Sequence, residues 1–181
     1  MSIINSIANV RRPIGAGATR SAYYSKKYDV VIKIDLENVC SARDESFESE
    51  YNQSSTEYDL FNSLTEKEKE IFPMVGIVHT KTKGVVVLMK RAKVVADIMS
   101  EVHRQSYKEF KLLYETMDNI RWHRKLKNSD CELLKKYGIS VTSARNVVKF
   151  AKKYNIGDLH KGNLGVINGK LVIIDAGLPE D

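Results

Sequence analysis

Residues 157–163, Gly-Asp-Leu-His-Lys-Gly-Asn, are the stretch that decides the fold of this chain. They follow a predicted helix and precede two short β-branched runs, residues 164–167 and 171–174, with Asn168-Gly169 between the runs. An Asn-Gly pair in this setting is the strongest short-range signal for a β-hairpin. The hairpin predicts that Asp175, which follows the second run, returns to the loop.

Three oxygen-bearing side chains are therefore expected at one point: Asp158, Asn163 and Asp175. Two carboxylates and an amide oxygen suit a hard cation such as Mg²⁺, which also binds phosphate oxygens. Asp158 is expected to accept the proton of an incoming hydroxyl group or to orient that group. Asn163 and Asp175 are expected to hold the metal that neutralises a transferring phosphoryl group. The alternative is that these residues only cap turns.

A glycine-rich turn is expected near the N-terminus, in residues 15–23, Gly-Ala-Gly-Ala-Thr-Arg-Ser-Ala-Tyr. Gly15 and Gly17 allow a backbone turn to approach a phosphate and to point amide N–H groups at it. No Gly-Lys-Ser/Thr follows and no helix is predicted directly after, so neither a Walker loop nor a dinucleotide fold fits. Strands on both sides indicate a flap over phosphates, whereas the alternative is an ordinary turn.

Lys33 interrupts a continuous β-branched run, residues 30–34, Val-Val-Ile-Lys-Ile. Such a run predicts a buried strand, and a buried ammonium group is costly without an anionic partner. Lys33 is therefore expected to contact the α- and β-phosphates of a nucleotide while a helix glutamate orients it. Glu57, at the start of a helical pattern, is the preferred partner and Glu50 the alternative. The other interpretation is an edge strand whose lysine reaches water.

The remaining patterns predict an α+β protein with two lobes and a hinge from Met89 to Ala92. Residues 1–90 form the predicted N-lobe, an antiparallel sheet with one helix, and residues 91–181 form a truncated, mainly helical C-lobe. The predicted elements comprise an exposed loop or frayed helix at 36–55, a helix at 57–64, strands at 74–80 and 84–89 joined by a turn at 81–84, one long helix at 95–119, and a helix capped by Thr142 that runs to Tyr154.

Composition restricts the function classes. The formal net charge is +6, but residues 35–70 contain eleven acidic and three basic residues while residues 71–161 contain nineteen basic and eight acidic ones. A basic half favours a polyphosphate ligand or an acidic protein partner. Because no aromatic-and-basic RNA signature accompanies the charge, nucleic acid is not the expected partner.

No segment is apolar enough to predict a membrane span, and the N-terminus does not resemble a secretion signal. Cys40 and Cys131 stand alone, which predicts idle thiols in a reducing cytoplasm rather than a metal site or a disulfide. A cytoplasmic location is therefore expected.

The glycine-rich turn, the strand lysine, the loop at 157–163 and Ile-Asp-Ala-Gly at 174–177 resemble, in this order, the landmarks of the protein-kinase-like superfamily. The Asp-Leu-His-x-Gly-Asn form of the loop is similar to that of aminoglycoside and choline kinases. Together with the flap, it also resembles the early serine/threonine kinases of bacteriophages, which modify host transcription and RNA-processing proteins. The resemblance spans residues 13–177, although residues 36–55 and 93–140 contain no diagnostic motif.

The resemblance implies a role for each matching residue, with ATP and Mg²⁺ as cofactors. The glycines of the flap cover ATP, Lys33 pairs with its phosphates, and Glu57 supports Lys33. The hinge residues bind adenine through their backbone groups. Asp158 is the catalytic base and the metal ligands are those already named. His160 braces the loop, with direct participation in catalysis as its alternative role. These implied residues are Gly15, Gly17, Lys33, Glu57, Met89, Lys90, Arg91, Asp158, His160, Asn163 and Asp175.

Two departures from the family pattern concern the substrate. Ile156 and Gly157 replace the His-Arg part of the usual loop, so control through a phosphorylated activation loop is not expected. Only six residues follow Asp175, which leaves out the activation segment and later helices. Either the kinase is minimal, or the missing surface comes from a partner, from a second copy in a homo-oligomer, or from the central helices.

Three functions remain open at this point. The first is a phage-type serine/threonine protein kinase that acts on bacterial host proteins. The second is a small-molecule kinase, which the form of the loop favours and the lack of an acceptor-binding lobe disfavours. The third is a non-catalytic kinase-fold module that binds and inhibits a host protein. A pure binding scaffold has no chemical need for Lys33, Asn163 and two aspartates together, which favours an enzyme.

Overall fold

The computed structural model describes residues 13–16, 20–35, 53–80 and 84–176, and it shows an α+β protein. The chain divides into two compact units. The first comprises Met1–Leu64 and Met74–Arg91, and the second comprises Thr65–Pro73 and Ala92–Asp181. Residues 65–73 thus group with the second unit although strands of the first unit follow them in the chain.

The first unit is an antiparallel sheet with one described helix. Its strands pair in the order β1-β2-β3-β5-β4. The predicted hairpin of β4 and β5 is confirmed, while its turn at residues 81–83 lies outside the described residues. The elements of this unit are β1 (Gly15–Ala16), β2 (Arg20–Ser25), β3 (Val30–Asp35), α1 (Gln53–Ser63), β4 (Met74–Thr80) and β5 (Gly84–Lys90).

Strand β3 lies between β2 and β5 and is therefore an internal strand. Side chains alternate between the two faces of a strand. On one face Ile32 forms an apolar cluster with its neighbours; the members are Val30, Ile32, Ile34, Val86 and Leu88, with Tyr23, Tyr28 and Val78 packed against them. The alternation places Lys33 on the other face, where α1 contacts β3, β4 and β5.

Helix α1 begins earlier than the sequence pattern predicts. The Asp35 carboxylate, at the end of β3, accepts hydrogen bonds from the Ser54 backbone N–H at 3.3 Å and from its hydroxyl at 2.9 Å. A side chain from a distant strand therefore satisfies an N–H group of the first helical turn. Of the exposed loop or frayed helix predicted at residues 36–55, residues 53–55 are helical, while residues 36–52 lie outside the described residues.

The second unit contains helices and a small antiparallel sheet with the strand order β6-β7-β8. The predicted hairpin is confirmed: Asn168 and Gly169 have φ values of 49° and 74°, as a two-residue type I′ turn requires. The elements are α2 (Glu66–Lys69), β6 (Lys93–Val94), α3 (Val95–Gln105), α4 (Tyr107–Arg121), α5 (Asn128–Lys136), α6 (Val141–Lys153), β7 (Leu164–Ile167) and β8 (Lys170–Ile173).

The single long helix expected at residues 95–119 is wrong. The helix is interrupted at Ser106, whose φ of −156° and ψ of 109° are those of an extended residue. The Ser106 hydroxyl accepts a hydrogen bond from the Glu109 backbone N–H, which makes it the N-cap of α4. The apolar spacing continues across the break, so the periodicity alone did not reveal it.

Two further corrections concern helix ends and short elements. The N-cap of α6 is Ser140, which accepts a hydrogen bond from the Ser143 N–H at 3.3 Å, and not Thr142. Helix α5 falls in a stretch whose first part is polar and basic, and the sequence pattern missed it together with α2 and β6. Short polar elements such as these depend on tertiary contacts more than on periodicity.

The core of the second unit lies among α3, α4, α6 and the hairpin. Strand β8 is fixed to the segment before β4, because the Ile173 N–H donates to the Ile71 carbonyl at 2.8 Å. The side chains in this core are almost fully buried; they include Val95, Met99, Leu113, Ile120, Leu134, Val147, Leu159, Leu164, Leu171 and Ile173. This packing fixes both ends of the loop at 157–163.

The structure describes one of the two cysteines and the helices that bear on a membrane span. Cys131 is a free, half-buried cysteine, and Cys40 lies outside the described residues. In the described part of the chain, no helix combines the length and apolarity that crossing a membrane requires.

A buried carboxylate holds α4 and α5 together. Asp130 is 7% exposed and accepts three hydrogen bonds. The donors are the Thr116 hydroxyl at 3.0 Å, the Asn119 amide at 3.2 Å and the Lys127 backbone N–H at 2.7 Å. The last donor lies at the N-terminus of α5, so the same carboxylate caps one helix and ties it to the other.

We expect Asp130→Ala to lower the free energy of unfolding by about 2–3 kcal/mol, because it removes a cap and leaves buried donors without an acceptor. Urea denaturation followed by circular dichroism measures this change. Glu132→Ala, an exposed position on the same helix, is the matched control and is expected to change stability by less than about 0.5 kcal/mol. Equal effects of the two substitutions would contradict the assigned role.

Candidate functional site

Lys33 meets a buried carboxylate in the first unit. Lys33 is 7% exposed and Glu57 is 1% exposed. The Lys33 Nζ lies 3.3 Å from Glu57 Oε1 and 3.5 Å from Oε2. Strand β3 is internal, so the alternative of a lysine on an edge strand is wrong. The structure thus brings Lys33 and Glu57 together, whereas Glu50 lies outside the described residues.

Sequence reasoning missed Arg20, the second cation on the same carboxylate. Its Nη1 donates to Glu57 Oε2 at 2.7 Å and its Nη2 donates to Oε1 at 2.9 Å. This two-pronged geometry is the strong form of an arginine–carboxylate pair. Arg20 lies opposite Asp35 in the register of β2 and β3, with 4.0 Å between Arg20 Nε and Asp35 Oδ1. The opposite charges were visible in the sequence, but the register that joins them was not.

Arg20 and Lys33 hold Glu57 with different strength. The guanidinium makes two short hydrogen bonds to the carboxylate, and the ammonium makes two long ones. A buried carboxylate needs such partners, because removing one of them leaves a charge that water cannot solvate. Of these two sets of contacts to Glu57, those of Arg20 are the shorter and the stronger.

The glycine-rich turn is described only in part. Gly15 lies in β1 opposite Ala22, and Gly17 lies outside the described residues. A Cβ atom added at Gly15 would meet no other atom within 4 Å, so packing does not require glycine at this position.

The predicted hinge residues lie at the end of β5. Met89 and Lys90 are still within the strand, opposite Val31 and Val30 of β3. Arg91 is exposed, and its guanidinium lies 4.4 Å from the centre of the Tyr24 ring. Adenine binding by these residues stays a prediction.

In the second unit, the loop between α6 and β7 brings Asp158 and Asn163 together. The Asn163 Nδ2 donates to Asp158 Oδ2 at 3.0 Å and to the Asp158 carbonyl at 3.0 Å. Asn163 is buried, while the Asp158 side chain is 42% exposed. Because Nδ2 faces Asp158, Asn163 Oδ1 is the atom that can bind a metal. The Asp158 carboxylate is held from one side and open to solvent on the other.

His160 braces this loop. Its Nδ1 accepts a hydrogen bond from the Gly162 backbone N–H at 2.9 Å, so a neutral ring carries its proton on Nε2. That Nε2 lies 3.7 Å from Asp158 Oδ2. A Cβ at residue 162 would lie 2.8 Å from the imidazole, which explains why glycine follows Lys161. Sequence reasoning also placed His160 among the catalytic residues, and direct chemistry by this group stays a prediction.

Asp175 is tied to Asn163 through the backbone. The Asn163 carbonyl accepts hydrogen bonds from the Ile174 N–H at 2.8 Å and from the Asp175 N–H at 3.3 Å. The hairpin of β7 and β8 therefore returns the chain to the loop, as the sequence predicts. Asp158, Asn163 and Asp175 all belong to the second unit.

The donor set of this loop fits Mg²⁺ only with help from a substrate. In the described part of the chain, no group of three or more His, Cys, Asp or Glu side chains could hold a metal ion. Asn163 Oδ1 and the Asp175 carboxylate provide one amide and one carboxylate. Mg²⁺ is commonly held by one or two carboxylates together with phosphate oxygens and water. The residues present therefore fit a magnesium ion that arrives with a nucleotide.

One cavity of the second unit contains none of the predicted site residues. It measures about 370 Å³ and is lined partly by Ile71, Ser140 and Phe150. Charged groups at its rim pair with one another: Lys153 donates to Glu68 at 2.7 Å, and this hydrogen bond is the main cause that lowers the Glu68 pKa to about 2. The residues suited to chemistry lie at the loop and not in this cavity.

A comparison with models of known protein families found no matching family, and a comparison with curated proteins found no match.

We expect the coupling free energy between Arg20 and Glu57 to exceed that between Lys33 and Glu57, because only the arginine makes two short hydrogen bonds. Double-mutant cycles with Arg20→Met, Lys33→Met and Glu57→Gln, followed by urea denaturation, measure both couplings. Arg20→Met alone is expected to cost on the order of 3 kcal/mol, since it breaks a buried ion pair. The exposed pair Lys93–Glu101 serves as a control with a smaller coupling. A larger coupling for Lys33 would contradict this assignment.

Proposed function

We propose that this chain is an ATP- and magnesium-dependent phosphotransferase, a minimal serine/threonine protein kinase of the phage type that acts on host proteins. The observation that carries the proposal is the buried Lys33–Glu57 ion pair, on the face of the first unit's sheet that α1 covers. A buried lysine that a carboxylate orients at 3.3 Å is suited to contact the phosphates of a nucleotide. Its ammonium provides three donors that can turn toward an anionic ligand.

The arrangement of elements is compatible with a kinase-like two-lobed fold, which is part of this proposal. The first unit pairs an antiparallel sheet with the helix that contains Glu57. The second unit is mainly helical and contains the loop and the hairpin that ends at Asp175. The glycine-rich turn, the lysine, the loop and the aspartate follow one another along the chain as in the protein-kinase-like superfamily.

Asp158 is proposed to act on the acceptor hydroxyl group. Asn163 holds Oδ2 at 3.0 Å, which fixes the carboxylate and leaves Oδ1 to accept the hydroxyl proton. The exposure of this side chain gives an acceptor access to it. His160 keeps the loop in shape through its hydrogen bond with Gly162. The proposal therefore gives Asp158 the role of base and gives Asn163 and His160 the role of supports.

Two sets of residues are proposed to counter the charge on the transferring group. Lys33 contacts the α- and β-phosphates with its ammonium group. Asn163 Oδ1 and the Asp175 carboxylate would hold Mg²⁺, which supplies positive charge for the phosphoryl group during transfer. Positioning and electrostatic stabilisation supply most of the catalysis in phosphoryl transfer, so few residues suffice.

Asp158→Ala is expected to reduce phosphoryl transfer by at least about 100-fold while ATP binding is retained, because general-base catalysis contributes about that much or more. Transfer of labelled phosphate from γ-labelled ATP with magnesium to the proteins of a bacterial lysate measures the first effect, and a thermal shift with Mg-ATP measures the second. Asp59→Ala, an exposed aspartate on α1, is the matched control.

The outcomes of this experiment separate the candidate functions. Labelled protein bands that disappear in Asp158→Ala establish a protein kinase. Consumption of ATP only in the presence of a small hydroxyl compound, such as an aminoglycoside, indicates a small-molecule kinase. ATP binding without any transfer contradicts an enzyme and favours a binding module. Loss of ATP binding in Asp158→Ala contradicts the role of base.

Asp175→Ala is expected to remove the magnesium-dependent part of nucleotide binding, because it deletes the carboxylate of the proposed metal ligands. Thermal stabilisation by ATP with magnesium is compared with stabilisation by ATP in EDTA, for wild type and variant. Wild type is expected to gain further stability from magnesium and the variant is not. Unchanged stabilisation of the variant by Mg-ATP would count against the metal site.

A further inference from the structure

Four aromatic side chains form a continuous exposed stripe on α3 and α4. Tyr107, Phe110 and Tyr114 are spaced by three and four residues, which places them on one face of α4. His103, near the end of α3, contacts the first two of these rings. We call this set the aromatic stripe. Its ring centres are 5.8 Å apart for His103 and Tyr107, 4.7 Å for His103 and Phe110, and 6.3 Å for Phe110 and Tyr114.

The aromatic stripe faces solvent. Tyr107 is 64% exposed and Tyr114 is 47% exposed, although large aromatic side chains are commonly buried in folded proteins. Contiguous exposed apolar surface marks interaction sites. Tyrosine is among the residues that contribute most to protein–protein binding.

One end of the aromatic stripe reaches the loop that contains Asp158. The Lys161 ammonium lies 5.8 Å from the centre of the Tyr114 ring. Beside this contact is a hollow of about 110 Å³, lined by Tyr114, Asp118, Arg121, Leu159 and His160 among others. A chain that lies on the stripe therefore leads into residues that directly follow Asp158.

The surroundings of the aromatic stripe carry a small excess of positive charge. Residues 103–121 and the loop at 157–163 contain five basic side chains, Arg104, Lys108, Lys111, Arg121 and Lys161, and four acidic ones, Glu109, Glu115, Asp118 and Asp158. Glu109 is moreover engaged by Lys136 and Tyr137, and the Lys136 bond lowers its pKa. An acidic partner complements this surface, and a basic one does not.

We infer that the aromatic stripe is the docking surface for the protein acceptor, and that it binds an extended acidic segment next to the hydroxyl group to be phosphorylated. The inference rests on the proposed function, whose substrate class it names. Tyr107 and Tyr114 are seven residues apart on α4, about 10 Å along the helix. That distance corresponds to about three residues of extended chain. The acceptor is thus expected to place an apolar side chain a few residues from its serine or threonine.

The protein class of the occupant follows from the proposed function, and the ring geometry agrees with it. The His103 ring meets Tyr107 at 78° and Phe110 at 75°, Phe110 and Tyr114 meet at 47°, and Tyr107 and Phe110 are nearly parallel at 27°. Stacking of successive bases needs open ring faces along the strand. With one nearly parallel pair among four ring contacts, the stripe is not a continuous series of such faces.

The first experiment measures docking without nucleotide. Fluorescently labelled dephosphorylated casein, an acidic extended protein, is titrated with wild type and with Tyr107→Ser/Phe110→Ser, and anisotropy is recorded. The double variant is expected to bind at least about tenfold more weakly, since aromatic anchors each contribute more than about 1 kcal/mol. Leu112→Ser is the matched control, because Leu112 is 45% exposed on the opposite side of the same helix. Its affinity is expected to stay within about twofold of wild type.

Charge is tested separately with Lys111→Glu. Lys111 is exposed, and its substitution leaves the half-buried Phe110 intact. The docking surface can therefore be tested with Lys111→Glu even if Tyr107→Ser/Phe110→Ser does not fold. It is expected to weaken casein binding, and binding by wild type is expected to weaken as salt rises. Lys135→Glu on α5 is the control for net charge and is expected to have a smaller effect. A histone, as a basic extended protein, is expected to bind more weakly than casein.

Phosphoryl transfer to casein then separates this inference from the proposed function. The stripe variants are expected to raise the KM for casein and to leave ATP binding unchanged. Transfer that depends on Asp158 but is insensitive to the stripe variants overturns the docking surface and leaves the proposed function standing. Stripe-dependent casein binding without any transfer by wild type overturns the proposed function and leaves the docking surface standing.

Three other outcomes would overturn the docking surface. One is equal binding of casein and the histone with no effect of the variants. A second is tighter, stripe-dependent binding of single-stranded oligo(dT), which would indicate a nucleic-acid surface. A third is a dimer in size-exclusion chromatography that dissociates in Tyr107→Ser/Phe110→Ser, which would make a second copy of this chain the occupant.

Discussion

The buried carboxylate of Glu57 is the constraint on which the first unit depends. It is 1% exposed, so it must be matched by cations inside the protein. Arg20 from β2 and Lys33 from β3 provide them, and together they fix the register of these strands against α1. Asp35 adds a second attachment by capping the start of α1. The helix is held to the sheet at two points, which sets the position of the lysine that the proposed chemistry needs.

In the second unit, by contrast, the exposed carboxylate of Asp158 is held in a defined orientation. The Asp158 side chain remains accessible to solvent, and its buried neighbour Asn163 holds it in position. Asn163 is buried and donates to it, and the backbone of Asn163 also receives the chain returning from β8. One residue therefore links the loop to the hairpin. A few contacts of one buried residue therefore hold a solvent-exposed carboxylate in a defined orientation.

Some residues of the site were accessible to sequence reasoning because their chemistry conflicts with their surroundings. A lysine among valines and isoleucines signals a buried charge, and Glu57 was preferred as its partner because it stands at the start of a helical pattern; the structure brings the two together. The Asn168-Gly169 turn was equally readable, since its positive φ values restrict the residues that can occupy it. Arg20 escaped notice because its role depends on strand register, which a local pattern does not specify.

The sequence by itself determined the α+β character, the strands around Lys33 and the hairpin after residue 163, and it singled out the residues proposed for phosphate chemistry. These features follow from local periodicity, turn chemistry and the cost of burying charge. Only the tertiary structure decided that the helix breaks at Ser106, that α5 is capped by Asp130, and that Arg20 shares Glu57 with Lys33. The same holds for the aromatic stripe beside Lys161. The Arg20–Glu57 pair and the Tyr114–Lys161 contact join residues far apart in the chain, so short-range patterns contain no information about them. The caps made by Ser106 and Asp130 are hydrogen bonds to residues three positions away, but apolar periodicity does not reveal which of several polar residues makes such a cap.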